Sequence, residues 1–208
     1  GVGLSGGKDS IVLLIALAHL RNYLDIPFKL TAITVDPQFN GIKGDYSQCE
    51  ELCNKLNVPY IIKRTHLAEI IFDQRKEGNP CSLCARMRRG ILHNICNEQS
   101  CNRLALGHHF DDVIETILLN ILYAGCYKTM MPKLKSTNFK GMELIRPLYY
   151  VKEEDIIAWA KYCDLKFLDC ACTVTEKKLG KRKEIKDLIA NLKKIDRDVD
   201  IHILRSSE

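Results

Sequence analysis

The chain has 208 residues, of which 46% are hydrophobic and 27% charged, and its formal net charge is +5 at pH 7. This composition predicts one globular domain over residues 1–208, and no apolar run approaches the roughly 18 residues that a membrane-spanning helix needs. No export signal is present, which predicts a cytoplasmic protein whose 10 cysteines stay reduced and available for metal or sulfur chemistry. The chain begins without methionine and with only a stub of a first strand, so we expect that N-terminal residues have been trimmed.

Hydrophobic runs alternate with helical patterns, which is typical of a Rossmann-like α/β fold with a parallel sheet and helices on both faces. The predicted strands are Val2–Leu4, Leu30–Val35, Val58–Lys63 and Leu104–Leu106. The predicted helices are Ser10–Leu24, Asp45–Leu56, Leu67–Gln74, a helix after Pro80, Val113–Leu122, Glu153–Tyr162 and Glu176–Lys194. Residues 124–142 are predicted to form a long loop, and 173–208 a basic helical extension.

A glycine-rich hexapeptide, S-G-G-K-D-S, connects the first strand to the first helix. Its two glycines let the backbone fold closely around phosphate oxygens, and the amides at the helix start attract the anion. The spacing differs from the G-x-x-x-x-G-K-[ST] loop of kinases and GTPases. We therefore predict a phosphate-binding loop formed by Ser5, Gly6, Gly7, Lys8 and Ser10.

Two further groups of polar residues follow strands, at the sheet edge where open α/β sheets bind ligands. Asp36 is a candidate adenosine contact, or alternatively a turn-forming residue before a proline. Gly107 and His108 follow the fourth predicted strand, and the histidine is either a contact of the α-phosphate or a satisfied core residue. Asp112 either binds magnesium and orients the nucleotide or caps the next helix.

A pair of cysteines, Cys81 and Cys84, opens the helix that follows Pro80. Side chains at i and i+3 of a first turn point the same way, and a helix N-terminus favours their thiolates. They form half of a metal site, a redox dithiol or a pair with no role. The second close pair is Cys170 and Cys172. Zinc with four thiolates would need both pairs, whereas an iron–sulfur cluster needs three and leaves one iron open.

Five separated motifs occur in order: the loop, C-S-L-C-x-R-x-R-R-G-I-L (81–92), L-G-H-H-x-D-D (106–112), M-P-K-L (131–134) and R-P-L (146–148). Together they resemble the tRNA 2-thiocytidine synthetase family of the PP-loop superfamily, from Gly1 to about Cys172. The resemblance implies adenylation of the C2 carbonyl of an anticodon-loop cytidine, at position 32 in the family, followed by replacement of its oxygen by sulfur. Its cofactors would be ATP, Mg²⁺ and a [4Fe-4S] cluster.

The resemblance also implies residue roles. The catalytic residues would be Lys8, Asp9 and Asp112. The ATP contacts would be Ser5, Gly6, Gly7, Lys8, Ser10, Asp36, Gly107 and His108. The cluster ligands would be Cys81, Cys84 and Cys172, with Cys170 as rival because C-A-C departs from the family's C-x-x-C-like pattern. The tRNA contacts would be Arg86, Arg88, Arg89, Lys133 and Lys135, although Arg86 would alternatively donate to cluster sulfur.

Partners implied by the resemblance are tRNA, a sulfur donor (a cysteine desulfurase or sulfide) and a second copy of the chain. Three alternatives remain open. A lysidine synthetase would share the loop but needs no cysteine cluster, and a uridine thiolase would share the three-cysteine pattern. The third is a nucleotide-binding module with structural zinc, in which stoichiometric zinc would replace iron.

Overall fold

The computed structural model describes residues 1–71, 80–168 and 175–207, without the side chains of Asn40, Cys81 and residues 175–179. The strands in these ranges are β1 Val2–Gly3, β2 Ala32–Asp36, β3 Tyr60–Arg64, β4 Arg103–Ala105, β5 Lys133–Lys135 and β6 Glu143–Ile145. The helices are α1 Lys8–Leu20, α2 Ser47–Lys55, α3 Leu67–Glu69, α4 Pro80–Glu98, α5 Phe110–Ala124, α6 Glu153–Tyr162, α7 Thr175–Ile195 and α8 Val199–Arg205.

The strands form one sheet in the order β3-β2-β1-β4-β6-β5, which confirms the predicted α/β class. All neighbouring pairs are parallel except β5 and β6, which are antiparallel. From β1 the chain moves first to β2 on one side and later to β4 on the other, so the strand order reverses at β1. Such a reversal creates a crevice at the carboxyl ends of the central strands, where open α/β sheets bind ligands.

Three of these elements were not predicted: β5, β6 and α8. The expected loop at 124–142 contains β5, whose three residues are all exposed at the sheet edge and therefore lack the apolar alternation of a half-buried strand. The basic extension contains a second helix, α8, whose seven residues are too few for a clear helical period. The helix predicted over Leu67–Gln74 is described only to residue 71.

Helices pack on both faces of the sheet because successive strand residues point to opposite sides. Ala32 belongs to a buried cluster with residues of α1, α2 and α6. The next residue, Ile33, belongs to a second cluster with Ile95 and Cys96 of α4. A third cluster joins α5 to α7 and α8 through residues such as Ile114 and Ile185. Among the described residues, no helix is long and apolar enough to cross a membrane.

Candidate active site

The glycine-rich loop is held in shape by hydroxyl groups at its two ends. Ser10 Oγ donates to the Gly7 carbonyl at 2.9 Å and accepts from the Ser5 amide at 3.1 Å. The Ser5 and Ser10 hydroxyl oxygens are also 3.1 Å apart. Gly7 is the N-cap of α1, so the loop leads directly into the positive end of the helix. The predicted loop is therefore a closed turn at the strand-order reversal.

Gly6 requires glycine for two reasons. Its φ of +86° lies in the left-handed region, and a Cβ there would be 2.5 Å from Leu168 Cδ1. The Leu168 amide donates to the Gly6 carbonyl at 2.9 Å. The chain segment that ends at Leu168, directly before the cysteine pair at 170 and 172, is thus fixed against the loop.

Lys8 is held by two carboxylates. Its Nζ lies 2.7 Å from Asp9 Oδ1 and 2.8 Å from Glu153 Oε1 at the start of α6. Burial lowers the Lys8 pKa, but the hydrogen bonds that Lys8 donates to Asp9 and Glu153 outweigh this effect, so the pKa is raised. The ammonium group therefore stays charged, and it contacts Asp9, which lines the cleft described below.

The loop after β4 packs against the start of α1 at Gly107. A Cβ at this position would lie 2.9 Å from the Asp9 carbonyl carbon and 3.1 Å from the Ser10 nitrogen. Asp112 Oδ2 then accepts from the amide of His109, the N-cap of α5, at 3.3 Å. Only glycine at position 107 lets the loop after β4 approach the start of α1 this closely.

His108 is neutral at physiological pH. Burial lowers its pKa to about 4, against the opposing effect of Asp112. Three guanidinium groups lower the pKa further, those of Arg89, Arg146 and Arg182. Its Nδ1 atom is buried without a hydrogen-bond partner in the described part of the chain. His108 is therefore a neutral imidazole that has one buried nitrogen without a partner and is surrounded by positively charged guanidinium groups.

His109 behaves oppositely. Burial lowers its pKa, but the nearby carboxylates of Asp111, Asp112 and Asp9 outweigh this effect, so the net shift of the pKa is upwards. Its Nε2 lies 3.8 Å from Asp9 Oδ1 and 3.6 Å from Asp112 Oδ2. The side chain joins the first turns of α1 and α5.

One cleft of about 320 Å³ lies between these loops and α4. That volume is at the lower end of the roughly 300–1,000 Å³ that ligand pockets occupy. Loop and strand-end residues form one wall: Ser5, Gly7, Asp9, Ser10, Gly107, His108 and Asp112. Residues of α4 form the other: Ala85, Arg88, Arg89 and Leu92. These four positions follow the i, i+3, i+4, i+7 spacing of one helical face, which we call the cleft face of α4.

The predicted cluster ligands are only partly described. Position 81 lies four residues before Ala85, so it falls on the cleft face of α4. Cys84 is half-buried and packs against the cluster of Val35, Leu67, Ile71 and Leu83, one helical turn or about 6 Å before Arg88. Cys170 and Cys172 lie outside the described residues. Within the described part of the chain, no group of three or more metal-ligating side chains could hold an ion.

Asp36 and Arg86 are predicted contacts that lie outside the cleft lining, as do Gly6 and Lys8 of the loop. Asp36 is buried, and its carboxylate accepts from the Gln38 amide at 3.0 Å and the Gly44 amide at 3.1 Å. This geometry fits its alternative reading as a turn residue. Arg86 is exposed outside the cleft face of α4.

The M-P-K-L and R-P-L motifs meet at one junction. The buried Arg146 guanidinium donates to the Met131 carbonyl, and the Arg146 amide donates to the Pro132 carbonyl at 2.8 Å. This fixes the start of β5, where Lys133 pairs with Glu143 at 3.0 Å. Lys135 is exposed on the same edge strand.

Sequence reasoning missed an ionic network behind the loop, because its members come from distant segments. Arg182 of α7 lies 3.1 Å from Asp112 Oδ1 and 3.7 Å from Glu115 Oε2. Lys186, one turn later, lies 2.8 Å from Glu153 Oε2 and 3.6 Å from Glu115 Oε1. The only sequence signal was the basic composition of the C-terminal segment, which does not reveal partners.

Two acids of this network, the buried Glu115 and the half-buried Glu153, have opposite pKa shifts. Burial raises the pKa of Glu115, which is 2% exposed. Burial also raises the pKa of Glu153, but its hydrogen bonds with Lys186 and Lys8 outweigh this and lower the value to about 2. Glu153 is therefore ionised at every physiological pH.

The fold and loop define a PP-loop protein, and the model of the PP-loop domain family matches residues 1–189. The chain is 38% identical to the tRNA-cytidine(32) 2-sulfurtransferase of Pelobacter propionicus, over 92% of this chain and 70% of that protein. It is 39% identical to the tRNA-cytidine(32) 2-sulfurtransferase of Syntrophotalea carbinolica, over 99% of this chain and 77% of that one. The chain belongs to the family of these PP-loop sulfurtransferases.

A solved structure is also similar, that of the U34-tRNA thiolase NcsA from Methanococcus maripaludis with its [4Fe-4S] cluster. The TM-score is 0.79 at 28% sequence identity, over 98% of this chain and 68% of that one.

Proposed function

We propose that this chain is an ATP-dependent tRNA sulfurtransferase that converts an anticodon-loop cytidine, at position 32 as in the names of its relatives, to 2-thiocytidine. One observation carries the proposal. A single cleft has the PP-loop on one wall and the cleft face of α4 on the other, and position 81 and Cys84 stand in the first turns of that helix. ATP chemistry and cysteine sulfur chemistry therefore adjoin.

The first step is activation of the base. The amides of the loop and the N-terminus of α1 bind the phosphates of ATP, with Mg²⁺ as counterion, while Lys8 supplies a positive charge. The C2 carbonyl oxygen of the cytosine attacks the α-phosphorus, and pyrophosphate leaves. Arg88, Arg89 and the neutral His108 face the space where negative charge increases in this step. The product is a base whose former carbonyl oxygen carries AMP, a good leaving group.

The second step is substitution. A sulfide forms a bond to C2, and the C2–O bond breaks with release of AMP, so the base gains sulfur and loses oxygen. No oxidant or reductant is needed, because the sulfur enters at the oxidation level of sulfide. Exclusion of water from the cleft would prevent hydrolysis of the activated base, and Leu92 and Val35 provide apolar lining.

The cysteine donors fit an iron–sulfur cluster. Two cysteines at i and i+3 of a helix start are on one side of the helix, where the positive helix end favours thiolates. Cys81, Cys84 and Cys172, or its rival Cys170, would hold a [4Fe-4S] cluster. Such a cluster, when bound, would hold the sulfide at its open iron. The fixed contact of Leu168 with Gly6 brings the chain to the loop two residues before Cys170.

Basic residues around the cleft would bind the tRNA backbone. Arg88 and Arg89 lie in the cleft and would contact the target nucleotide or ATP, whereas Arg86, Lys133 and Lys135 are exposed and suited to phosphates further out. Contacts of this kind release counterions, so tRNA affinity should fall as salt rises. We also propose that Asp112 contacts magnesium and that Asp36 contacts adenosine. In the structure, both carboxylates bind protein groups.

We further propose a cytoplasmic location, where tRNA is modified, a cysteine desulfurase or free sulfide as sulfur donor, and a homodimer. Residues 1–208 would act as one domain, with 173–208 as its extension, because α7 and α8 share a buried cluster with α5.

A uridine thiolase is the second candidate, because the similar structure of NcsA belongs to a U34-tRNA thiolase. The cytidine assignment is preferred because relatives with that name reach 39% identity against 28% for NcsA. A lysidine synthetase is less suitable, since lysine attack needs no cysteines in the cleft.

The test is anaerobic incubation of an unmodified tRNA with ATP, Mg²⁺ and sulfide, followed by nucleoside mass spectrometry. We expect 2-thiocytidine with the wild type and none with Lys8→Ala. A parallel tRNA with uridine in place of the cytidine at position 32 should gain no sulfur there. Formation of 2-thiouridine or lysidine would transfer the chain to the corresponding alternative, and stoichiometric zinc without iron would exclude the cluster.

A further inference from the structure

The charge balance around Lys8 is unfavourable for an anion when its nearest partners alone are considered. Its single ammonium group is within 2.8 Å of two carboxylates, those of Asp9 and Glu153. The three groups together carry a net negative charge, because the pKa of Glu153 is lowered to about 2. A negative group beside a loop that receives a polyphosphate would repel it.

Lys186 changes this balance. It reaches from α7 to within 2.8 Å of Glu153 Oε2, the oxygen that Lys8 does not use, and 3.6 Å from Glu115 Oε1. Its side chain is 49% exposed, whereas that of Glu153 is 25% exposed, so the ion pair is partly shielded from solvent. The Glu153 carboxylate thus bridges two ammonium groups, that of Lys8 in α1 and that of Lys186 in α7.

Taking the proposed ATP-dependent function as given, we propose that Lys186 is a positioning residue for ATP that neutralises Glu153 so that Lys8 can attract the phosphates. Asp9 and Glu153 then hold the Lys8 ammonium group at two of its three donor positions, while Lys186 offsets the charge of Glu153. Helix α7 becomes part of the nucleotide site without touching the nucleotide.

The same helix supplies a matched control. Lys183 is one turn before Lys186 and exposed, and it forms no ion pair or hydrogen bond within the described part of the chain. Lys183→Met and Lys186→Met remove the same charge from the same helix. A general effect of net charge on ATP binding would be equal in the two variants, whereas an effect through Glu153 would appear only in Lys186→Met.

The experiment measures the Kd of Mg·ATP by equilibrium dialysis for the whole chain and its variants, with melting temperatures recorded for each. We expect Lys186→Met to raise Kd about tenfold, an effect that shrinks as salt screens the charges. Lys183→Met should stay within about threefold of the wild type. In Glu153→Gln/Lys186→Met, both charges are absent and Kd should return to within about threefold of the wild type.

Several results would overturn the proposal. Equal Kd values for Lys186→Met and Lys183→Met would show that the ion pair does not affect ATP. A double variant that binds as weakly as Lys186→Met would show that Lys186 only supports the fold. If Lys186→Met does not fold, Lys186→Arg is measured instead. This variant keeps the positive charge, so a Kd for ATP that differs from the wild type would overturn the proposal. Failure of the wild type itself to bind ATP would refute the proposed function instead.

Discussion

Gly107 lies so close to Asp9 that a methyl group on its α carbon would be 2.9 Å from the Asp9 carbonyl carbon and 3.0 Å from the carbonyl oxygen. The contact is between two backbone segments, so no side chain can turn aside to relieve it. It fixes the loop after β4 against the first turn of α1, and both segments belong to the wall of the cleft that faces α4. Gly107, which the sequence suggests only as a turn residue, thus sets the distance between two backbone segments of the site.

We predict that Gly107→Ala weakens ATP binding more than tenfold and lowers the free energy of unfolding by about 1–3 kcal/mol, the usual cost of overpacking. Gly90→Ala is the matched control on α4, because its Cβ would meet no atom within 4 Å. Removal of a helical glycine should stabilise that variant by about 0.5–1 kcal/mol. Urea unfolding and ATP titration measure both effects. Normal ATP affinity in Gly107→Ala would refute the proposed packing role.

The arginines of α4 should separate into two functional groups. Arg88 and Arg89 line the cleft, whereas Arg86 does not. We expect Arg88→Ala and Arg89→Ala each to reduce the rate of tRNA-dependent pyrophosphate release about tenfold at saturating tRNA, the loss expected for one charge-assisted hydrogen bond of roughly 1.5 kcal/mol. Arg86→Ala should instead weaken tRNA binding and leave ATP affinity unchanged. The same loss of pyrophosphate release in all three variants would contradict the claim that Arg88 and Arg89, but not Arg86, act in the cleft.

The pKa of His108 should make stability depend on pH. It is about 4 in the folded chain, whereas its ordinary value is 6.5. Between these values the unfolded chain binds a proton that the folded chain does not, so stability is full above about pH 6.5 and lost as pH falls towards 4. From pH 7 to 5, wild type should lose about 2 kcal/mol more unfolding free energy than His108→Asn. The opposite shift of His109 is present in both proteins and cancels. Parallel losses would show that His108 is not kept neutral by burial.

Sequence patterns predicted those parts of the site that are local. The loop from Ser5 to Ser10 and the turn at Gly107 depend on short-range geometry, and their strands could be read from apolar runs. The ion pairs of Glu153 with Lys8 and Lys186 could not be predicted, because each side chain alone reads as a solvated charge and the contact exists only in the folded chain.

The same limit applies to elements at the surface. The strand at Lys133–Lys135 exposes all its residues, so burial leaves no pattern in the sequence. Asp36 shows another limit, since a polar residue at a strand end fits a ligand contact and a turn equally well. Its bonds to two backbone amides favour the turn. The identity of the third cysteine ligand stays a prediction.

The central claim is that activation of the base and insertion of sulfur occur in one cleft but depend on different residues. The most direct measurement compares pyrophosphate release and 2-thiocytidine formation in the same anaerobic reaction for the wild type, Lys8→Ala and Cys84→Ser. We predict that Lys8→Ala loses both products, whereas Cys84→Ser retains tRNA-dependent pyrophosphate release and forms no 2-thiocytidine. Equal loss of both products in Cys84→Ser, or thiolation that persists in it, would contradict the claim.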